Sequence, residues 1–128
     1  MTLFRAPQLI LFSNDVSGLA GFYVRLGFSE TFRFPEEGDP THVDLVLDGY
    51  KLGIASVAST RDAHGLDPVP DGQRVAVVLW TDDTDAGLLA VIAAGGTQLS
   101  ASRPWLGRLL IAWAADPDGN PVQVVQRA

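Results

Sequence analysis

The feature that most constrains the fold is a likeness between the two halves of the chain. The segment "DVSGLAGFYVRLGF" begins at Asp15, and "DTDAGLLAVIAAGG" begins at Asp83, 68 positions later. The same offset carries Gly27 onto Gly95. Each segment opens on an aspartate suited to cap a helix and closes on glycine where a helix would end. In the first, Leu19, Phe22, Tyr23 and Leu26 recur at the spacing of one helical face. In the second, Leu88, Val91 and Ile92 keep that spacing with smaller residues. A strand-like run precedes each helix, "QLILFS" in one case and "RVAVVLWT" in the other.

The likeness continues beyond the helices. "LDGYKLGIASV" from Leu47 aligns with "PDGNPVQVVQR" from Pro117, now 70 positions apart, so the second copy has gained two residues between helix and hairpin. Asp-Gly between two strand-like runs predicts a hairpin turn in each copy, with "HVDLVLD" leading into the first and "RLLIAWAAD" into the second. Each half therefore reads strand, helix, then three strands, over about 5–57 and about 73–127. Between them, residues 58–72, "ASTRDAHGLDPVPDG", have the Asp, Gly and Pro content of a linker. The alternative is a chance alignment of common Gly and Asp residues, but caps, helix ends and turns agree in order, which favours a true repeat. The expected class is α+β, two βαβββ modules forming a single domain.

Composition narrows the partners. The chain has 128 residues, 47% hydrophobic and 19% charged, enough apolar material for a core. A net charge of −6 argues against nucleic acid and is compatible with a cationic or neutral small ligand. With no cysteine there is no disulfide, thiolate ligand or thiol nucleophile. "MTLFRAPQLILF" lacks the pattern of a signal peptide, and no apolar run has membrane-spanning length. The expectation is a soluble cytoplasmic protein without a membrane partner.

The pattern "QLILFSND…FYVRLGF" together with "DPDGNPVQVVQ" resembles the vicinal oxygen chelate superfamily, which includes glyoxalase I, bleomycin-resistance proteins, fosfomycin-modifying enzymes and extradiol dioxygenases. The resemblance covers nearly the whole chain. "FYVRLGF" and "DPDGN" are its most specific pieces, and "PWLGR" at Pro104–Arg108 resembles another recurrent segment. It implies paired modules whose sheets curve around a cavity, and a homodimer, often with cavities shared between subunits. In the enzymes of the superfamily a divalent metal is held from the first and last strand of each module. Motif alignment carries those positions onto Gln8, Gly53, Ala76 and Gln123. Two neutral amides with a glycine and an alanine lack the imidazole and carboxylate donors that such metals take. The expectation is therefore no metal and no cofactor.

The two histidines do not supply the missing donors. His64 falls in the linker. His42 and Asp44 alternate along "HVDLVLD" with Val43, Leu45 and Leu47. They would serve as a ligand pair or an acid–base pair, although a half-solvated strand alternates in the same way.

Strand parity then says what should line the cavity. Gln8 should share an inward face with Ile10 and Phe12, with Leu9 and Leu11 packed under the helix. Ala76, Val78 and Trp80 should share another, as should Gly107, Leu109, Ile111 and Trp113, with Gln123 and Val125 on the last strand. Trp105 is a candidate rim or lid, and the loop "FPEEGDPT" at 34–41, with Glu36 and Glu37, a candidate mouth. Arg33, Arg103 and Arg108 are read as surface, structural or interface residues. The predicted ligand-binding set is Gln8, Phe12, Trp80, Trp105, Trp113 and Gln123, with no catalytic residue. Mostly apolar walls with a few polar groups suit a drug-sized ligand, and indoles stack on planar rings and attract cations. The alternative for Trp80 and Trp113 is ordinary core. Two functions follow. One is metal-free binding and sequestration of an aromatic or partly cationic, antibiotic-like molecule by a homodimer. The other is an enzyme, a lyase (lactoylglutathione-lyase-like), isomerase or dioxygenase, using an unusually held metal or a route through His42, Asp44 or a glutamate of the 34–41 loop.

Overall fold

Both predicted caps form, and they set the pattern of each half. The Gly18 N–H donates to Asp15 Oδ1 at 3.0 Å, and the Ala86 N–H to Asp83 Oδ1 at 3.1 Å. One step earlier, Ser13 Oγ and Thr81 Oγ1 accept from the backbone N–H of Asp15 and Asp83 at 2.9 and 3.2 Å. The helices stop at Gly27 and Gly95, with φ of +113° and +118°. Such backbone strains any residue with a Cβ.

The computed structural model describes residues 3, 5–72 and 75–128. The chain divides into two compact units, Met1–Pro70 and Asp71–Ala128. The first contains β1 (Leu9–Ser13), α1 (Val16–Arg25), β2 (Ser29–Phe34), β3 (His42–Leu47), β4 (Tyr50–Ser56) and α2 (Val57–His64). The second contains β5 (Val77–Trp80), α3 (Thr84–Ala93), β6 (Thr97–Trp105), β7 (Leu109–Ala115) and β8 (Pro121–Arg127). Each holds a four-stranded mixed sheet, ordered β1-β4-β3-β2 in one and β5-β8-β7-β6 in the other. The pairs β1/β4 and β5/β8 are parallel and the rest antiparallel. The class is α+β, as expected. Among the described residues no helix is long and apolar enough to cross a membrane.

The repeat extends to register. Ile10 lies opposite Gly53 and Val78 opposite Gln123, so the offsets of 68 and 70 carry the first pair onto the second. The first Asp-Gly is a two-residue hairpin turn, Asp48 and Gly49 having φ of +53° and +82°. The second is not. Asp118 and Gly119 sit in a wider connection, residues 116–120, organised by Asp116. Its Oδ1 accepts from the N–H of Asp118 and Asn120, and its Oδ2 from Asn120 Nδ2. A buried carboxylate thus takes the place of a tight turn.

The stretch read as linker contains α2. It is capped by Ser56 Oγ, which accepts from the Ser59 N–H at 2.9 Å, and it ends at Gly65 in the left-handed conformation. With Val57 and Thr60 its buried residues, it has no apolar stripe for a sequence to display.

In the first unit α1 buries Leu19, Phe22 and Tyr23 on the sheet face formed by Leu11, Val43, Leu45, Leu52 and Ile54. Tyr23 meets Phe22 and Phe28 edge-to-face, with centroids 4.9 and 5.5 Å away. Leu9, expected under the helix, is instead 54% exposed at the start of an edge strand. In the second unit Leu88, Val91 and Ala94 of the α3 region are buried with Ala112, Ala114, Val122 and Val124. A Cβ at Gly87 would stand 2.7 Å from Val124 Cγ1, so the glycine lets α3 settle onto β8.

Candidate functional site

In the first unit α1 takes one face of the sheet, and residues opposite one another across the strands define the other. One row reads Ile10, Gly53, Asp44, Phe32; the next reads Phe12, Ala55, His42, Phe34. The β4 residues are small, so His42 and Asp44 have room on that side. Gln8 stands just ahead of β1, and its amide reaches across Gly53 to β3. Gln8 Nε2 donates to Asp44 Oδ1 at 2.9 Å, and His42 Nε2 meets the same oxygen at 2.8 Å. A Cβ at Gly53 would lie 2.9 Å from Gln8 Nε2 and 3.1 Å from both Asp44 Oδ1 and Ile10 Cγ1. Glycine at this position leaves open the space over which Gln8 and Asp44 converge.

The network fixes the imidazole. An ionised carboxylate only accepts, so the neutral His42 ring carries its proton on Nε2 and leaves Nδ1 as a lone pair. The Phe32 ring stands 5.8 Å from the His42 ring at 68°. His42 and Asp44 remain about a third and a quarter exposed, 30% and 26%. Ile10 and Phe12, expected on an inward face with Gln8, lie on the sheet face away from α1, where Ile10 is exposed and Phe12 half-buried. Sequence reasoning treated Gln8 and the His42–Asp44 pair separately. The readable sign of their meeting is Gly53, a glycine between Leu52 and Ile54 in the middle of a strand, which marks close approach of neighbouring groups.

In the second unit the rows read Val78, Gln123, Trp113, Ser100 and Trp80, Val125, Ile111, Arg103. Trp80, Trp113 and Gln123 thus share one face. Trp113 is half-buried, and its backbone N–H donates to Ser100 Oγ at 3.2 Å. Trp80 is exposed, and the Arg127 guanidinium lies 5.1 Å from its ring centre. Trp105 is exposed at the β6–β7 turn, where Leu106 and Gly107 have φ of +57° and +68°. On the opposite face Gln126, which sequence reasoning passed over, accepts from Thr84 N–H at 2.6 Å and from Thr84 Oγ1 at 2.7 Å, tying the start of α3 to β8.

The remaining candidates stand apart from these faces. Arg33 is held by Glu30, whose hydrogen bond and charge raise the guanidinium pKa further. Glu36 and Glu37 are exposed in the 34–41 loop, and His64 is exposed at the end of α2.

The metal positions implied by the resemblance do not suit a divalent ion. In the first unit Gly53 offers no donor, and Gln8, whose Nε2 is bonded to Asp44, lies over the space a ligating side chain there would need. In the second unit Ala76 offers none and Gln123 is a neutral amide. Among the described residues no three His, Cys, Asp or Glu side chains are grouped to hold a metal.

Residues 8–125 match the family described as glyoxalase-like domain. Several solved structures share the fold. A glyoxalase/bleomycin resistance protein/dioxygenase family enzyme from Burkholderia phytofirmans PsJN aligns with a TM-score of 0.81 at 18% identity, over 98% of this chain and 100% of that one. A glyoxalase-related enzyme from Fulvimarina pelagi gives 0.79 at 21%, over 97% and 88%. A glyoxalase/bleomycin resistance protein/dioxygenase from Nocardioides gives 0.78 at 18%, over 99% and 85%. A search of curated proteins found no match.

Proposed function

The chain belongs to the glyoxalase-like domain family, of the vicinal oxygen chelate fold, and from that premise we propose that it is a metal-independent protein that binds and sequesters an aromatic small molecule. The observation that carries the reading is what stands at the family's metal positions. Where an enzyme needs ligating side chains, this chain has Gly53 and Ala76, and the Gln8 amide bonds to Asp44 instead. The faces beside these positions carry Trp80, Trp113 and Gln123 in one unit and Phe12, Phe32 and Phe34 in the other. Ring faces supply stacking area, and the amide of Gln123 supplies orientation. In this proposal the working form is a cytoplasmic homodimer.

Titration of planar aromatic antibiotics and dyes against intrinsic tryptophan fluorescence tests the reading, with calorimetry in parallel. The expected result is saturable quenching of equal affinity in protein treated with chelator and in protein supplied with zinc or manganese. Binding that appears only with metal, or a broad panel giving neither heat nor thermal shift, would refute it.

One observation favours a second reading, an acid–base enzyme. His42 is oriented by Asp44 through Nε2 and carries its other nitrogen on a partly exposed face, the arrangement of a general base and its orienting carboxylate. Turnover of the methylglyoxal–glutathione adduct by metal-free protein, lost in His42→Gln, would favour it over passive binding.

A further inference from the structure

We propose that Gln8, Asp44 and His42 form a recognition site for an organic cation, an ammonium or amidinium group carried on an aromatic framework. The proposal rests on the binding reading above and adds to it the charge of the ligand and the residues that read that charge.

The cluster holds more hydrogen-bond acceptors than donors. Asp44 Oδ1 is engaged by two donors, Gln8 Nε2 and His42 Nε2. Among the described residues, what the cluster has left is Asp44 Oδ2, His42 Nδ1 and Gln8 Oε1, all acceptors, against one remaining amide hydrogen of Gln8. A surface so rich in acceptors suits a ligand rich in N–H donors. Charge points the same way. Among the described residues the ion-pair partner of Asp44 is His42 alone, and wherever the imidazole is uncharged the ionised carboxylate keeps its negative charge for a ligand. Hydrogen bonds between a charged donor and a charged acceptor are the strong ones.

The neighbours complete the site. Phe32 lies across from Asp44 and Phe34 across from His42, and both rings are at least half exposed, at 50% and 61%. Phenyl faces attract cations and also cover apolar ligand surface. Gly53 leaves room for the arrangement, because a Cβ there would crowd Gln8 Nε2 and Asp44 Oδ1 at 2.9 and 3.1 Å. The chain's net charge of −6 favours arrival of a cation.

The test compares benzamidine with benzamide, which match in shape and differ in charge, by calorimetry on the full-length protein at mildly alkaline pH and low salt. Benzamidine should bind about tenfold more tightly, and the preference should shrink as salt is added. In Asp44→Asn it should fall to about twofold or less, with near-ultraviolet circular dichroism confirming the fold. In Gln8→Leu, where Asp44 loses one of its two supports, it should fall part of the way. Equal binding of the two probes to the wild-type protein would overturn the proposal, whether or not the variants fold. So would a preference that survives Asp44→Asn. If neutral aromatics still quench tryptophan fluorescence while no charge preference exists, this inference fails and the binding reading stands. If neither probe nor any aromatic binds, both fail.

Discussion

At the level of single residues, the instructive case is Gly53. Glycine within a strand weakens it, because there is no side chain to pack and more backbone entropy to lose. Here the lost packing is replaced by Gln8, Asp44 and Ile10 converging over the vacant Cβ position. Gly53→Val should therefore act as overpacking and as loss of a polar contact together. It should destabilise the protein by about 1–3 kcal/mol, read as a lower urea midpoint at unchanged slope. It should also move the side-chain amide resonances of Gln8. A midpoint within about 0.5 kcal/mol of wild type, with those resonances unmoved, would mean that the three side chains do not meet there. The sequence made Gln8 conspicuous, as a polar residue at the head of an apolar strand, and strand parity gave its face. It did not reveal that Asp44 is its partner. Gln8 and Asp44 lie 36 residues apart, and their contact depends on a register between strands that no local pattern carries.

Elements were more legible where their ends have chemistry. The two Asp caps, Gly27 and Gly95 each satisfy a local rule, and each formed as expected. Helix α2 is capped by Ser56 and ends at Gly65, but between those ends it buries only Val57 and Thr60, so no apolar periodicity marks it and the Asp, Gly and Pro content of residues 58–72 reads as linker. The β6–β7 turn breaks a local rule outright. Both of its central residues take positive φ, yet the first is Leu106, a residue type that the left-handed region penalises by about 1–2 kcal/mol. The Leu106 side chain is exposed, so it recovers little by packing. Replacing it with asparagine, which tolerates this backbone, should raise stability by up to about 1 kcal/mol and the melting temperature by a few degrees. Calorimetry or a thermal-shift assay reads this directly. A lowered melting temperature would show that the leucine is covered by something in solution, such as a second copy of the chain, and that its exposure is not its working state.

At the scale of the whole molecule, the repeat did most to make the fold readable. Two offsets taken from sequence, 68 for strand and helix and 70 for the hairpin, reproduce the pairing of Ile10 with Gly53 in Val78 with Gln123. They also identify the two strands that end each sheet on the parallel side, β1 and β5. Both read "LILFS" and "VVLW", without charge or proline, and both expose apolar side chains: Leu9, Ile10, Val78 and Trp80. Proteins ordinarily blunt such edges with lysine, proline or a covering element, because unpaired backbone beside apolar side chains invites association. Among the described residues neither strand carries lysine or proline, which supports the homodimer of the proposed function. The protein should then elute at twice its chain mass by light scattering at micromolar concentration. If a second copy packs there, lysine at Ile10 or Val78 puts a charge into that contact, and it should reduce the mass to that of one chain without loss of helix signal. Wild-type protein running as a single chain across that range would remove the dimer from the proposal.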